Sequence, residues 1–134
     1  MKTRFFVVVL MVAVVGFAAC GGDDPPETPK SDNNNVKEFV VNTIKYEVKA
    51  DEVLYTYPKS GANAWSTLPT GTSVAASITM EDSKAKTNPA SVTLDFTKVG
   101  AAGTAGTVGT FKAISESGKE KTYTVKVTKN PNMP

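Results

Sequence analysis

Apolar and polar residues alternate with a period of two along most of residues 36–129. The alternation is clearest near the end, where Tyr123, Val125 and Val127 are separated by threonine and lysine residues. Because successive side chains of a β-strand point to opposite faces, this pattern predicts strands with one buried and one exposed face. No segment shows the 3.6-residue period of an amphipathic helix. The chain is therefore predicted to be all-β.

Turn residues divide this region into about seven strands, the number typical of an immunoglobulin-like sandwich. Residues 116–119 are expected to join the last two strands as a hairpin, with Gly118 at positive φ. The glycine-rich run 100–109 is expected to be a mobile connection. The pattern predicts one immunoglobulin-like β-sandwich over residues 36–129 and a short C-terminal tail over residues 130–134. The predicted strands are 37–41, 44–49, 53–57, 73–80, 92–96, 110–115 and 122–128.

The first 19 residues have the layout of a secretory signal. Lys2 and Arg4 give a basic start, residues 5–19 are almost wholly apolar, and small residues directly precede Cys20. A run of about 15 apolar residues is short for a membrane-spanning helix, which needs roughly 20. The pattern therefore predicts a signal peptide over residues 1–19, with cleavage before Cys20.

Cys20 is the only cysteine in the chain. With residues 17–19 it resembles the lipobox of bacterial lipoproteins, in which the cysteine sulfur carries lipid and the cysteine becomes the first mature residue. The resemblance implies two or three acyl chains, which suffice for stable anchoring in a membrane. The alternatives are a free buried thiol, a cysteine in an uncleaved membrane helix, and a released soluble protein.

Residues 20–35 are rich in Pro, Gly, Asn and Asp. This composition predicts that the lipidated cysteine is followed by a disordered tether, which holds the folded part on the order of 20 Å or more from the bilayer. Asp23 and Asp24 resemble the acidic cluster that follows the lipidated cysteine in Bacteroides-type surface lipoproteins. The resemblance implies an outer-membrane lipoprotein exposed at the cell surface, with the periplasmic face of a membrane as the alternative.

Composition limits the classes of function. The chain has 15 basic and 13 acidic residues, and loss of Lys2 and Arg4 with the signal leaves 13 of each. A domain without excess positive charge lacks the electrostatic basis for nucleic-acid binding. The chain has no histidine, and its one cysteine is assigned to lipid. The usual general base, the commonest metal ligand and the thiolate nucleophile are therefore missing.

Two acidic pairs, Asp51-Glu52 and Glu81-Asp82, remain as candidates for acid–base catalysis. The members of each pair are adjacent in sequence and lie beside turn residues. We interpret them as solvated loop charges that do not share a cleft, because adjacent strand residues point to opposite faces. We therefore expect no enzymatic activity, no cofactor and no metal.

Several short motifs resemble those of one kind of module. Their sequences are FVVN at 39–42, YP at 57–58, NPA at 88–90, VTLDF at 92–96, ESGK at 116–119 and YTVKV at 123–127. Together they resemble the immunoglobulin-like, cadherin-like β-sandwich modules of Bacteroides-type surface lipoproteins. The resemblance covers nearly all of residues 36–129. It implies fold and location rather than activity, because a fold does not determine function.

Aromatic residues supply the candidate binding site. Trp65 is the only tryptophan and lies in a polar, glycine-containing segment. An exposed indole suits stacking on a sugar ring or anchoring a protein. Tyr55 and Tyr57 are two residues apart, so they share a strand face and could extend this platform. The alternative is that Trp65 covers one end of the sandwich and both tyrosines pack inward.

Two functions are predicted from these features. The first is a lipid-anchored, non-catalytic binding module of the cell envelope for a glycan or a protein partner. The second is a structural spacer or accessory subunit of an envelope assembly, with no small ligand. The last strand offers a further possibility if it lies at a sheet edge. Its face with Thr124 and Lys126 could then pair with another protein's strand, or its lysine could prevent such pairing.

Overall fold

The computed structural model describes residues 25–57 and 67–131. These residues form nine β-strands and one 3₁₀ helix, at Phe96–Lys98, and contain no α-helix. The all-β prediction is therefore confirmed. The strands are β1 (Val36–Val41), β2 (Ile44–Lys45), β3 (Glu47–Lys49), β4 (Glu52–Tyr57), β5 (Val74–Met80), β6 (Lys86–Asn88), β7 (Val92–Leu94), β8 (Ala105–Ile114) and β9 (Glu120–Lys129).

The strands form two sheets whose apolar faces share one core. One sheet has four strands in the order β2-β1-β5-β7, and the other has five in the order β3-β4-β9-β8-β6. Strand pairs are antiparallel, except that β4 and β9 run parallel. The predicted β-sandwich is confirmed. Strand β9 lies between β4 and β8, so it is not a sheet edge and the condition for pairing with another protein's strand is not met.

Aromatic rings connect the two sheets. Phe39 of β1 stacks on Phe111 of β8 with 5.8 Å between ring centroids, and Phe111 stacks on Tyr123 of β9 at 5.2 Å. The buried Tyr123 hydroxyl accepts a hydrogen bond from the backbone N–H of Val36, at 3.1 Å. Stacked aromatic pairs of this kind add about 0.5–1.5 kcal/mol beyond their burial. This column of rings therefore fixes the middle of the core.

The predicted strand 44–49 is two strands in different sheets. Ile44 of β2 pairs with Val41, whereas Val48 of β3 pairs with Val53. The chain crosses between the sheets at the buried Tyr46. A strand that crosses between two inner faces keeps its alternation of buried and exposed side chains, so the sequence pattern does not reveal the crossing.

The predicted strand 92–96 ends early. The Asp95 carboxylate accepts a hydrogen bond from the backbone N–H of Thr97 at 3.0 Å, which begins the 3₁₀ helix. Strand β6 is a further element that the sequence pattern did not predict. The predicted hairpin is confirmed, because Gly118 has φ 90° and its N–H donates to the Ser115 carbonyl at 3.0 Å.

The predicted mobile connection at 100–109 is wrong for its second half, because β8 begins at Ala105. The glycines there permit close packing. A Cβ on Gly106 would lie 2.2 Å from the Lys98 carbonyl oxygen and 2.2 Å from the Gly100 nitrogen. The start of β8 can therefore lie directly against the segment that follows the 3₁₀ helix only because residue 106 has no side chain.

Residues 31–35 were predicted to end the disordered tether, but they lie against the β8–β9 turn. The Ser117 N–H donates to the Ser31 carbonyl at 3.0 Å. The Asp32 carboxylate accepts a hydrogen bond from the Ser117 hydroxyl at 2.6 Å and pairs with Lys119. Short polar side chains bond readily to turns, and the same residues are common in disordered segments. We call residues 31–35 the N-terminal strap.

Candidate functional site

A groove opens at the end of the sandwich where β4 and β9 finish, and its volume is about 420 Å³. The floor is the buried ring of Phe96, and the partly buried Tyr57, Leu68 and Val99 pack against the core beside it. Apolar walls with a few polar groups are typical of small-molecule sites. The residues that line the groove are Tyr57, Thr67, Leu68, Pro69, Thr70, Phe96, Thr97, Val99 and Lys129.

The parallel ladder between β4 and β9 places Tyr57 beside Lys129. The ladder pairs Tyr55 with Val127 and then Tyr57 with Lys129, and the Asn130 N–H donates to the Tyr57 carbonyl at 2.5 Å. Tyr55 and Val127 are buried in the core. Residues two positions further along each strand share that face, so Tyr57 and Lys129 lie where the inner face meets solvent.

The opposite wall is held by the 3₁₀ helix. The Phe96 N–H donates to the Gly71 carbonyl at 2.9 Å, which joins the helix to the loop that contains Leu68. The Thr97 hydroxyl is 2.5 Å from an Asp95 carboxylate oxygen. Hydrogen bonds from Thr97, together with the nearby Lys98, hold the pKa of Asp95 below its usual value. The Thr97 hydroxyl donates to Asp95 and therefore presents an acceptor to the groove.

The charge of the groove comes from Lys129. In residues 25–57 and 67–131, the Lys129 ammonium forms no ion pair and no side-chain hydrogen bond. Lys98, at the same end of the sandwich, lies 3.4 Å from the Asp95 carboxylate. None of the described lining residues carries a carboxylate. Among the described lining residues, the groove therefore presents the positive charge of Lys129, with no carboxylate beside it, next to an aromatic ring.

The three aromatic residues of the predicted site have different positions. Tyr55 is 3% exposed and its ring stacks on that of Tyr46 at 5.0 Å, so it does not extend an exposed platform. Tyr57 is half-buried and lines the groove. Trp65 lies outside the described residues. Tyr57 and Thr67, the described residues on either side of that segment, both line the groove.

Cys20 and the predicted signal peptide also lie outside the described residues. Within the described part of the chain, no helix combines the length and apolar character needed to cross a bilayer. The predictions of lipidation and signal cleavage therefore stay predictions.

Three of the four acids considered for catalysis engage separate partners. Glu52 pairs with Lys126, whereas Asp51 is an exposed residue between β3 and β4. Glu81 accepts hydrogen bonds from two asparagine side chains of the N-terminal strap, each at 3.2 Å, and Asp82 accepts one from the Lys84 N–H at 2.9 Å. Among the described residues, no group of three or more His, Cys, Asp and Glu side chains could hold a metal ion.

A comparison with protein-family models, curated protein sequences and solved structures finds no match to this chain. The chemistry of the groove is therefore argued from its own residues. The sequence interpretation found Tyr57 but missed Lys129, Leu68 and Thr97. Lys129 could have been found from the sequence, because it is a charged residue at the next inward-facing position after Tyr123, Val125 and Val127. Leu68 lies in a loop and Thr97 in the 3₁₀ helix. The alternation of apolar and polar residues does not predict that these two segments lie together.

Proposed function

We propose that this chain is a lipid-anchored protein of the bacterial cell envelope whose β-sandwich is a non-catalytic binding module for a glycan. The groove beside Tyr57 is the observation that carries the binding proposal. A half-buried aromatic ring offers a flat apolar surface to the C–H face of a sugar. Thr67, Thr70 and Thr97 also line the groove, and threonine hydroxyls can form hydrogen bonds with sugar hydroxyls.

The proposed location rests on the sequence of the first 24 residues. A basic start, an apolar run and Cys20 behind small residues support lipidation, and Asp23-Asp24 supports exposure at the outer-membrane surface. A module at that surface meets polysaccharides and envelope proteins. We place a glycan first, because the groove combines a ring with hydroxyl groups.

Binding of the full-length chain, purified in detergent, to a panel of immobilised polysaccharides tests this function. We expect Tyr57→Ala to weaken binding by about tenfold or more, since stacking on one aromatic ring contributes about 0.5–1.5 kcal/mol beyond its buried area. Thr56→Ala is the matched control, because Thr56 is exposed on the other face of the same strand. Trp65→Ala, measured alongside, tests the sequence prediction for Trp65.

A structural spacer or accessory subunit is the second candidate. The N-terminal strap favours it, because its bonds to the β8–β9 turn fix the direction in which the chain leaves the domain. A wild-type protein that is folded and binds no polysaccharide on the panel would exclude the glycan module and leave the spacer.

A further inference from the structure

We propose that the groove recognises a sugar that carries a carboxylate, with the Lys129 ammonium as the partner of that carboxylate. This inference rests on the proposed glycan function and adds the charge of the ligand. Its basis is the placement of a lysine that has no side-chain partner among the described residues, at the one end of β9 where the inward-facing series reaches solvent.

The inner face of β9 is apolar until its last residue. Tyr123, Val125 and Val127 are at most 1% exposed, and Lys129 is the next residue on that face. A lysine can lie along apolar surface with its methylenes while its ammonium stays in water. Lys129 is exposed and lines the groove.

Lys129 is one of five lysines in residues 25–57 and 67–131 that form no ion pair, together with Lys30, Lys37, Lys86 and Lys121, and among these five it is the one that lines the groove. The other seven are neutralised locally. Ion pairs bind Lys45, Lys49, Lys84, Lys98, Lys112, Lys119 and Lys126 to neighbouring carboxylates. At the groove, Asp95 is the nearest acid in sequence to the lining residues, and it is occupied by Thr97 and Lys98. An anionic ligand in the groove would therefore meet Lys129 and no free carboxylate among the described lining residues.

The spacing of the two groups suits one sugar residue. Tyr57 and Lys129 are direct neighbours in the parallel ladder, and neighbouring strands lie about 4.8 Å apart. In a uronic acid the carboxylate is attached directly to the ring, so one residue can stack on Tyr57 and reach Lys129. An acidic peptide lacks a ring with an adjacent carboxylate, and it would use neither the Tyr57 face nor the three threonine hydroxyls in this way.

The test compares carboxylated polysaccharides with their methyl esters. The probes are polygalacturonate, alginate and hyaluronan, each immobilised as the free acid and as the methyl ester, with the full-length chain in detergent. Esterification removes the charge and keeps the sugar rings. We expect at least one acid form to bind about tenfold more tightly than its ester, in line with the strength of a charge-assisted hydrogen bond.

Lys129→Gln should lower the affinity for that acid form about tenfold and leave the affinity for the ester unchanged. Lys86→Gln is the matched control, because Lys86 is an exposed lysine of β6, at the opposite end of the sandwich. Tyr57→Ala should lower the affinity for both the acid form and the ester. Because the ion pair is exposed to solvent, raising the salt concentration should reduce the preference for the acid.

The outcomes separate this inference from the proposed function. Equal, Tyr57-dependent binding of acid and ester would overturn the carboxylate inference and keep the glycan module. If no acid form binds while other polysaccharides do, the carboxylate inference is also overturned and the glycan module is kept. Binding of poly-glutamate as tight as that of the best uronate would overturn the sugar assignment in favour of an acidic peptide. Absence of any polysaccharide binding would overturn both proposals.

Discussion

Gly106 is a residue whose role depends on having no side chain. It is buried at the start of β8, and an added Cβ would lie 2.2 Å from two backbone atoms of the facing segment. Backbone atoms cannot rotate away as the end of a side chain can. Gly106 therefore allows β8 to pack against residues 98–100 at the end of the sandwich that carries the groove.

We expect Gly106→Ala to lower the free energy of unfolding by about 3 kcal/mol, at the upper end of the cost of overpacking. Thr107→Ala is the control, because Thr107 is exposed on the same strand and should change stability by at most about 0.5 kcal/mol. Urea denaturation of both variants measures the difference. Equal midpoints would show that the close approach of residues 98–100 to β8 is not required.

Individual residues differ in how well the sequence predicts them. The inward positions Tyr123, Val125 and Val127 follow from alternation, since burial on one face is what produces a period of two. Gly106 was read as part of a mobile run, because glycine-rich composition looks the same whether it provides flexibility or close approach. Only the neighbours in space distinguish these two uses.

The N-terminal strap is attached through carboxylates whose pKa values are lowered in the folded protein. The Asp32 carboxylate accepts hydrogen bonds from Lys119 and Ser117, and these lower its pKa from the usual 3.8. A lowered folded-state pKa means that the attachment is complete above pH 3.8 and is lost as the pH falls through the folded-state pKa. The Glu116 carboxylate accepts a hydrogen bond from the Ser31 N–H at 3.2 Å. The pKa of Glu116 is also lowered, so this contact too is lost as the pH falls.

We expect the strap to detach in acid before the sandwich unfolds. The protection factor of the Ser117 amide, which donates to Ser31, should fall below pH 3.8, while amides in the middle of β9 stay protected. Asp32→Ala should remove the Ser117 protection already at neutral pH. Hydrogen exchange followed by NMR makes the measurement. Simultaneous loss of protection at Ser117 and in β9 would show that the strap is not a separate unit.

At the scale of elements, the sequence predicts the long strands better than the short ones. Strand β5 was predicted to within one residue of its observed bounds, because four apolar residues alternate over its whole length. Strands β2, β3, β6 and β7 have only two or three residues. Their bounds depend on the crossing at Tyr46 and the cap at Asp95, which are set by tertiary contacts. The groove was only partly predictable for the same reason.

For the whole molecule, we expect Cys20→Ala to abolish membrane association. Without the cysteine there is no sulfur to carry acyl chains, and each buried methylene contributes about 0.8 kcal/mol to anchoring. Fractionation of cells that express each form measures the effect, with Thr56→Ala as a control variant that keeps Cys20. If the Cys20→Ala protein still sediments with membranes, the lipoprotein proposal fails.

The strap and the groove lie at opposite ends of the sandwich. The strap contacts the turn that precedes β9, whereas Tyr57 and Lys129 lie beside one another where β9 ends. Strand β9 has ten residues, which corresponds to about 30 Å. In a protein anchored through its N-terminus, the groove would therefore be presented on the side away from the bilayer.

This arrangement also determines how the domain carries mechanical load. A ligand held in the groove and an anchor held at the N-terminus would pull along the axes of the strands. Strand β1 begins at the strap, and its hydrogen bonds to β5 run across that direction. Pulling would therefore load these bonds in shear, where they must fail together, rather than unzip them one at a time. In a protein anchored in this way, the position of the strap would make the sandwich resist unfolding under tension.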